Sequence, residues 1–212
     1  MTKKIKTVSL SVPLFFLFIF LMPVLMFPST ASARQKKNYI VGKLGAYSPG
    51  SSDLSGFSSD FSGGFALGHY FNRNFATEFE FGYFQTSGTV LVSNNERFFA
   101  QDDINATFLA ATAKLVFPVP YYYSPSYRTS YINFYVGAGA GVYFANENID
   151  AIGVSASDTV PGAHILGGAD FNLNSNFFLG LEIKYLWARP DLVLGKTSLD
   201  GLIFSGAFGY NF

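Results

Sequence analysis

From about residue 39 to residue 212, apolar side chains alternate with polar or small ones. A period of two is the signature of a β-strand, in which successive side chains point to opposite faces. Eight alternating segments can be marked, at 39–47, 63–71, 75–84, 105–117, 133–144, 162–173, 177–188 and 200–212. In the third, Phe75, Thr77, Phe79, Phe81 and Tyr83 share one side, and Glu78, Glu80 and Gly82 share the other. In the seventh, Leu179, Leu181, Ile183, Tyr185 and Trp187 oppose Gly180, Glu182 and Lys184. In the fifth, Val136, Ala138, Ala140, Val142 and Phe144 oppose Tyr135, Gly137, Gly139, Gly141 and Tyr143. The last segment sets Phe204, Phe208, Tyr210 and Phe212 on one face, with Gly206 in their register and Ser205, Ala207, Gly209 and Asn211 between them.

A soluble protein buries such an apolar edge or blunts it with charge. Here the last strand ends on an aromatic with no polar tail, as expected of a strand that faces lipid. The apolar faces are therefore assigned to lipid and the polar or small faces to a lumen. The inverse assignment points Glu78, Glu80, Glu182 and Lys184 into hydrocarbon, at a cost on the order of a few kcal/mol each. The connections support the same architecture. Those after the second and sixth segments are short and asparagine-rich (Asn72-Arg-Asn74 and Leu173-Asn-Ser-Asn176), whereas those after the first, third, fifth and seventh are longer and polar. Short turns at one end and long loops at the other mark an outer-membrane barrel with its long loops facing out of the cell. The stretch from Pro118 to Ser130 is long for the turn side, and its tyrosines suit an interfacial girdle. Gly68-His-Tyr-Phe-Asn72 resembles Gly168-Ala-Asp-Phe-Asn172, and repeated hairpin chemistry accounts for the similarity. The expected fold is all-β, an eight-stranded antiparallel up-and-down transmembrane β-barrel.

The N-terminus changes the picture by adding a route. Lys3, Lys4 and Lys6 precede an apolar run from Val8 to Phe27, followed by Ser29-Thr-Ala-Ser-Ala33. That order describes a signal peptide cleaved after Ala33, with residues 34–212 as the barrel domain. Pro13, Pro23 and Pro28 fit poorly in an uncleaved spanning helix. The chain is 18% aromatic and 13% charged and has no cysteine, which excludes disulfides. Without its leader lysines it is slightly acidic, so no nucleic-acid partner is expected. Acidic residues gather in the expected outer loops (Asp53, Asp60, Glu96, Asp102, Asp103, Glu147, Asp150, Asp158, Asp191), and basic residues gather on the expected periplasmic side (Arg34, Lys36, Lys37, Arg73, Arg128).

Tyr39-Ile-Val-Gly-Lys-Leu-Gly45, Tyr135-Val-Gly-Ala-Gly-Ala-Gly-Val-Tyr143, Leu181-Glu-Ile-Lys-Tyr185 and Gly209-Tyr-Asn-Phe212 carry a resemblance that covers essentially the whole mature chain. The chain resembles the small outer-membrane β-barrel family, which includes the OmpA transmembrane domain, OmpX and opacity-type surface antigens. The resemblance implies that Phe204, Phe208, Tyr210 and Phe212 form the assembly signal read by the barrel-assembly machinery, with Gly206 departing from its apolar preference. It also implies a bare barrel, without the peptidoglycan-binding domain that OmpA carries.

Candidate chemistry is sparse. An eight-stranded barrel has an interior that side chains can fill. Lys43, Glu78, Glu80, Lys114, Asp170, Glu182 and Lys184 form the expected lumen polar network, a plug of ion pairs rather than an ion path. Gly137, Gly139 and Gly141 make room for large neighbours. Gly137-Ala-Gly-Ala-Gly141 is not a dinucleotide loop, because Val142 follows and no helix does. His164 is expected at the outer end of the sixth strand beside a loop holding Ser155, Ser157 and Asp158, and His69 near a tight turn. A lipid A-modifying enzyme is the minor alternative, but His164 points to the lumen and no His-x-Ser pair supports it. No catalytic, cofactor or metal residues are assigned. Phe57, Phe61, Phe98 and Phe99, with Leu91, Val92, Ile149 and Val154, give the loops apolar character suited to a host or surface ligand. The reading is a Gram-negative outer-membrane surface protein with a structural or surface-interaction role and a filled lumen, in contact with outer-membrane lipid and lipopolysaccharide. The alternative is a narrow channel for small or hydrophobic solutes, resembling OmpW.

Overall fold

A computed structural model describes residues 37–54, 56–94, 96–122, 129–149, 154–193 and 195–212. The strands are β1 (Asn38–Pro49), β2 (Asp60–Tyr70), β3 (Phe75–Asn94), β4 (Glu96–Tyr122), β5 (Thr129–Ile149), β6 (Val154–Asn172) and β7 (Phe177–Ala188). A two-residue pair, β8 (Asp191–Leu192) and β9 (Gly195–Lys196), precedes the terminal β10 (Gly201–Asn211). Each long strand pairs antiparallel with its sequence neighbour. β7 pairs with β10, and β10 pairs with β1 from Tyr39↔Asn211 to Pro49↔Gly201, which closes the ring. The result is an eight-stranded up-and-down barrel with the alternation read from the sequence. Leu44, Phe65, Val136, Leu181 and Phe208 are exposed on the outer wall, while Lys43, Ala66, Tyr135, Glu182 and Ala207 are buried within.

The lumen aromatics fit because glycines face them across the ladder. Tyr39 pairs with Gly68, Phe108 with Gly82, Tyr135 with Gly168 and Phe178 with Gly209. A Cβ on Gly68 would lie 1.9 Å from the Tyr39 ring, and one on Gly82 would lie 2.2 Å from the Phe108 ring. Each ring therefore lies flat over a position where no side chain can stand.

The tight turns share one chemistry. The Asn72 Oδ1 accepts from the Asn74 N–H at 2.8 Å, and the Asn174 Oδ1 accepts from the Asn176 N–H at 2.8 Å. These are Asx-type turns, in which the side chain stands in for backbone. They account for the internal similarity without duplication.

Four strands run much further than the alternation predicts. The stretch 85–103, expected as a loop, is mostly a β3–β4 ladder that continues to Asn94↔Glu96. β5 and β6 likewise pair out to Ile149↔Val154. Ser155, Ser157 and Asp158, expected in a loop, are therefore in β6. At the turn end β4 and β5 continue to Tyr122↔Thr129. Pro118 and Pro120 are tolerated there because the Val116 N–H bonds the Asn74 carbonyl on the β3 side. The two prolines share that parity, so their missing N–H groups face the side β3 has already left.

Candidate functional site in the lumen

The interior is filled in three layers. At the turn end Tyr39, Val41, Ala66, Phe178 and Ala207 pack together, as do Ala76, Val116, Tyr135 and Leu166, with half-buried Tyr70 touching both groups. At the loop end Tyr47, Phe84, Ile104, Phe108, Tyr143, Leu186, Leu199 and Ile203 form one apolar cluster. Its rings interleave, with the Phe108 and Tyr143 centroids 5.4 Å apart and those of Tyr47 and Phe84 4.3 Å apart.

Between these layers lie three lysines and three glutamates, each no more than 5% exposed. The Lys43 Nζ sits at the centre, 2.6 Å from Glu78, 2.7 Å from Glu80 and 2.8 Å from Glu182. Lys114 bridges Glu78 at 2.6 Å and Glu182 at 3.3 Å, and Lys184 holds Glu80 at 2.5 Å. Formal charge within the layer is balanced. Tyrosines of the turn-end layer complete it from below, the Tyr39 hydroxyl donating to Glu78 at 2.9 Å and the Tyr135 hydroxyl to Glu182 at 3.2 Å. Lys114 also lies 4.4 Å from the centroid of the Tyr135 ring. A buried charge without a partner is costly, and here each glutamate meets at least two lysines or a lysine and a tyrosine.

Six of the seven residues expected in the lumen network thus meet in one cluster. Asp170 is set apart. It faces the interior against Gly180, half-buried, and takes part in none of the cluster's ion pairs. The expectation of a polar lumen put Tyr143 inside but missed the rest of the loop-end layer, which is apolar and aromatic. Its signal was available, since Phe84, Phe108, Tyr143 and Leu186 share strand parity with Glu80, Lys114, Gly141 and Lys184.

His164 is buried in the middle of β6, not at its outer end, and its Nε2 lies 2.8 Å from the Thr112 hydroxyl. Gly139 leaves it room, as a Cβ there would stand 2.6 Å from the His164 Nε2. Ser155 and Ser157 are exposed on the opposite parity, so they do not converge with His164. His69 bonds the Asn38 side chain at 2.7 Å on the exposed turn rim. Phe57 packs against the loop-end cluster and over Gly88, whereas Phe61 is exposed on the wall of β2. The side chains of Asp53, Leu91, Val92, Glu96, Phe98, Phe99 and Ile149 lie outside the described residues, as do Arg34, Lys36, Arg128 and Asp150. On the wall, Phe204, Phe208, Tyr210 and Phe212 are all exposed, and Phe177 stacks on Phe208 with centroids 5.6 Å apart.

A closed antiparallel ring with an apolar belt outside and charge inside is the geometry of a lipid-embedded barrel. The family model for the outer membrane protein beta-barrel domain matches residues 18–212. The chain belongs to that family. It resides in the outer membrane of a Gram-negative envelope. Among solved structures, Neisserial surface protein A is 18% identical with a TM-score of 0.57, over 82% of this chain and 97% of that one. The N-terminal barrel of Pseudomonas aeruginosa OprF is 13% identical with a TM-score of 0.51, over 84% and 100%. The attachment invasion locus protein Ail of Yersinia pestis is 20% identical with a TM-score of 0.43, over 83% and 97%. At these identities the first two structures speak to the fold alone. No curated protein sequence matches the chain.

Proposed function

We propose that this barrel is a non-conducting surface protein whose working part is the four-stranded lobe carried by β3–β6 above the membrane. The observation that carries this reading is the unequal height of the wall. β2 leaves β3 at Ser62↔Phe84, and β7 leaves β6 at Gly162↔Ala188. Beyond those points β3–β6 continue to pair with one another, with a bridge from Phe57 to Gly88 on the β3 edge. Apolar residues on the wall below it, including Phe61, Phe144 and Trp187, mark the upper margin of the lipid belt. A structure built only to span the bilayer needs no such extension. The three filled layers of the lumen support the same reading by leaving the outer surface as the place for function.

Residues 1–33 then act as the export signal, cleaved after Ala33. Phe204, Phe208, Tyr210 and Phe212 mark the terminal strand for the assembly machinery. Outer-leaflet lipopolysaccharide surrounds the belt, and the lobe meets a host or surface ligand. The test is to replace residues 88–103 by a two-residue turn and measure adhesion of cells carrying the shortened protein. Adhesion is expected to fall to background while the barrel keeps its heat-modifiable gel mobility. Unchanged adhesion with an intact barrel contradicts the proposal and leaves a purely structural role.

A further inference from the structure

Two carboxyl groups lie buried together in the lobe, away from the ion cluster of the lumen. Asp102 of β4 pairs with Gly88 and Ile149, and Glu147 of β5 pairs with Ile104. The two side chains are thus diagonal neighbours on the inner face, five residues beyond the Thr107↔Phe144 pair at the lipid margin in the case of Asp102. Asp102 is 0% exposed and Glu147 2%. That diagonal sets the two buried carboxyls side by side. Neither oxygen of Asp102 meets a donor among the described residues. The Glu147 Oε2 is engaged, accepting the Val193 N–H at 2.5 Å.

Two carboxylates in contact and out of water repel strongly, and a single proton between them turns repulsion into a hydrogen bond. The division of labour follows from the bonds. Asp102, buried with neither oxygen met by a donor, is the group that takes the proton, and its hydroxyl then donates toward Glu147. Burial and the charge of Glu147 push the Asp102 carboxyl up to about 7, with a smaller push from Asp103.

The surrounding groups leave this balance in place. On β3, Thr86, Ser87, Gly88 and Thr89 bring no charge to the pair. On β6, Asp158 is committed to the Asp191 N–H at 2.7 Å. On the β8–β9 hairpin Asp191 and Lys196 are exposed. Beside that hairpin Arg189 faces Asp200 at 3.8 Å, and below the lobe Lys184 is held by Glu80. Asp60, in the neighbouring rim, is engaged by Gln85 and its own chain and is held below the usual carboxylate range by those bonds.

We propose that a proton held by Asp102 against Glu147 latches the Asp191–Lys196 hairpin to the lobe through Glu147 and Val193. With the proton on Asp102, the repulsion between the two groups is gone and Glu147 is free to hold Val193. With it gone, Asp102 and Glu147 separate and the hairpin loosens. The sign follows from linkage. A carboxyl raised from 3.8 to about 7 binds its proton more tightly in the folded lobe than in the unfolded chain. The latch is therefore firmest below the unfolded value and weakens as pH rises through the folded value.

The test uses the whole mature protein refolded in lipid nanodiscs, following hydrogen exchange at the Val193 amide from pH 5 to 9, corrected for the intrinsic rate. Protection in the wild type is expected to fall about tenfold as pH rises through the folded value, the loss that follows when an amide's hydrogen bond costs about 1.4 kcal/mol less to open. Asp102→Asn, which keeps the hydrogen-bonding shape and cannot ionise, is expected to hold protection flat across the range. A wild-type profile with no change between pH 5 and 9 overturns the proposal without reference to any variant. So does an Asp102→Asn profile that still falls as the wild type does. Restoration of wild-type protection at pH 9 by calcium ions also overturns it, in favour of a metal held between the carboxylates.

Discussion

The middle and the loop end of the lumen solve one packing problem with opposite chemistry. In the middle, Lys43, Lys114 and Lys184 neutralise Glu78, Glu80 and Glu182 over distances of 2.5 to 3.9 Å. At the loop end, Tyr47, Phe84, Phe108, Tyr143 and Leu186 exclude water with almost no polar contact. The ionic layer is fixed by partner count, and each member is needed by two or three others. The aromatic layer is fixed by shape, and its members can shift toward a gap. The two regions should therefore fail differently: the first by leaving charge behind, the second by leaving space.

The largest effect is expected from Lys43→Met. It strips the shared cation from three glutamates and should cost towards the upper end of about 3–5 kcal/mol, read from urea unfolding in lipid vesicles. The double variant Lys43→Met with Glu182→Leu removes the Lys43–Glu182 pair and restores neutrality, so it should recover more than half of that loss. Additive losses would show that charge balance is not what holds the layer.

Next in size is Phe108→Ala in the aromatic layer, expected to cost about 3 kcal/mol by the same measurement. Phe84 and Tyr143 flank that ring with centroids 6.2 and 5.4 Å away and can move in. Gly82→Ala tests the same contact from the other strand. Its Cβ would stand 2.2 Å from the Phe108 ring, so a loss of about 1–3 kcal/mol is expected from overpacking.

The smallest effects sharpen the comparison within one layer. The Tyr47 hydroxyl donates to the Leu199 carbonyl at 2.9 Å, whereas the Tyr143 hydroxyl is buried with no hydrogen-bond partner among the described residues. Tyr47→Phe should cost about 1 kcal/mol, and Tyr143→Phe should be neutral or slightly stabilising. Equal losses for the two would mean that the loop-end layer is wetter than its packing implies.

What the sequence made legible tracks where lipid imposes a rule. Within the bilayer one face must be apolar, so alternation is enforced, and β7 runs from Phe177 to Ala188 as its pattern predicts. Above the bilayer both faces of a strand can be polar. Residues such as Gln85, Ser87, Gln101 and Asp103 then read as loop although the ladder runs through them. The ionic cluster was legible because charge on a strand with a greasy outer face has only one place to go. The aromatic layer was legible only in part: Tyr143 falls on the lumen face of its segment, whereas Phe108 in isolation reads equally well as lipid-facing. Only its parity with Lys114 places Phe108 inside. The Asp102–Glu147 contact was illegible for a different reason. It depends on a cross-strand diagonal that exists only once the β4–β5 register is known.

The central claim is that charge neutralised in the middle and rings packed above it close the barrel to ions. The most direct measurement is the conductance of the refolded protein in planar lipid bilayers at high salt. The account predicts a silent membrane for the wild type and brief, irregular openings for the Phe108→Ala variant. A steady, reproducible unitary conductance from the wild-type protein would contradict it.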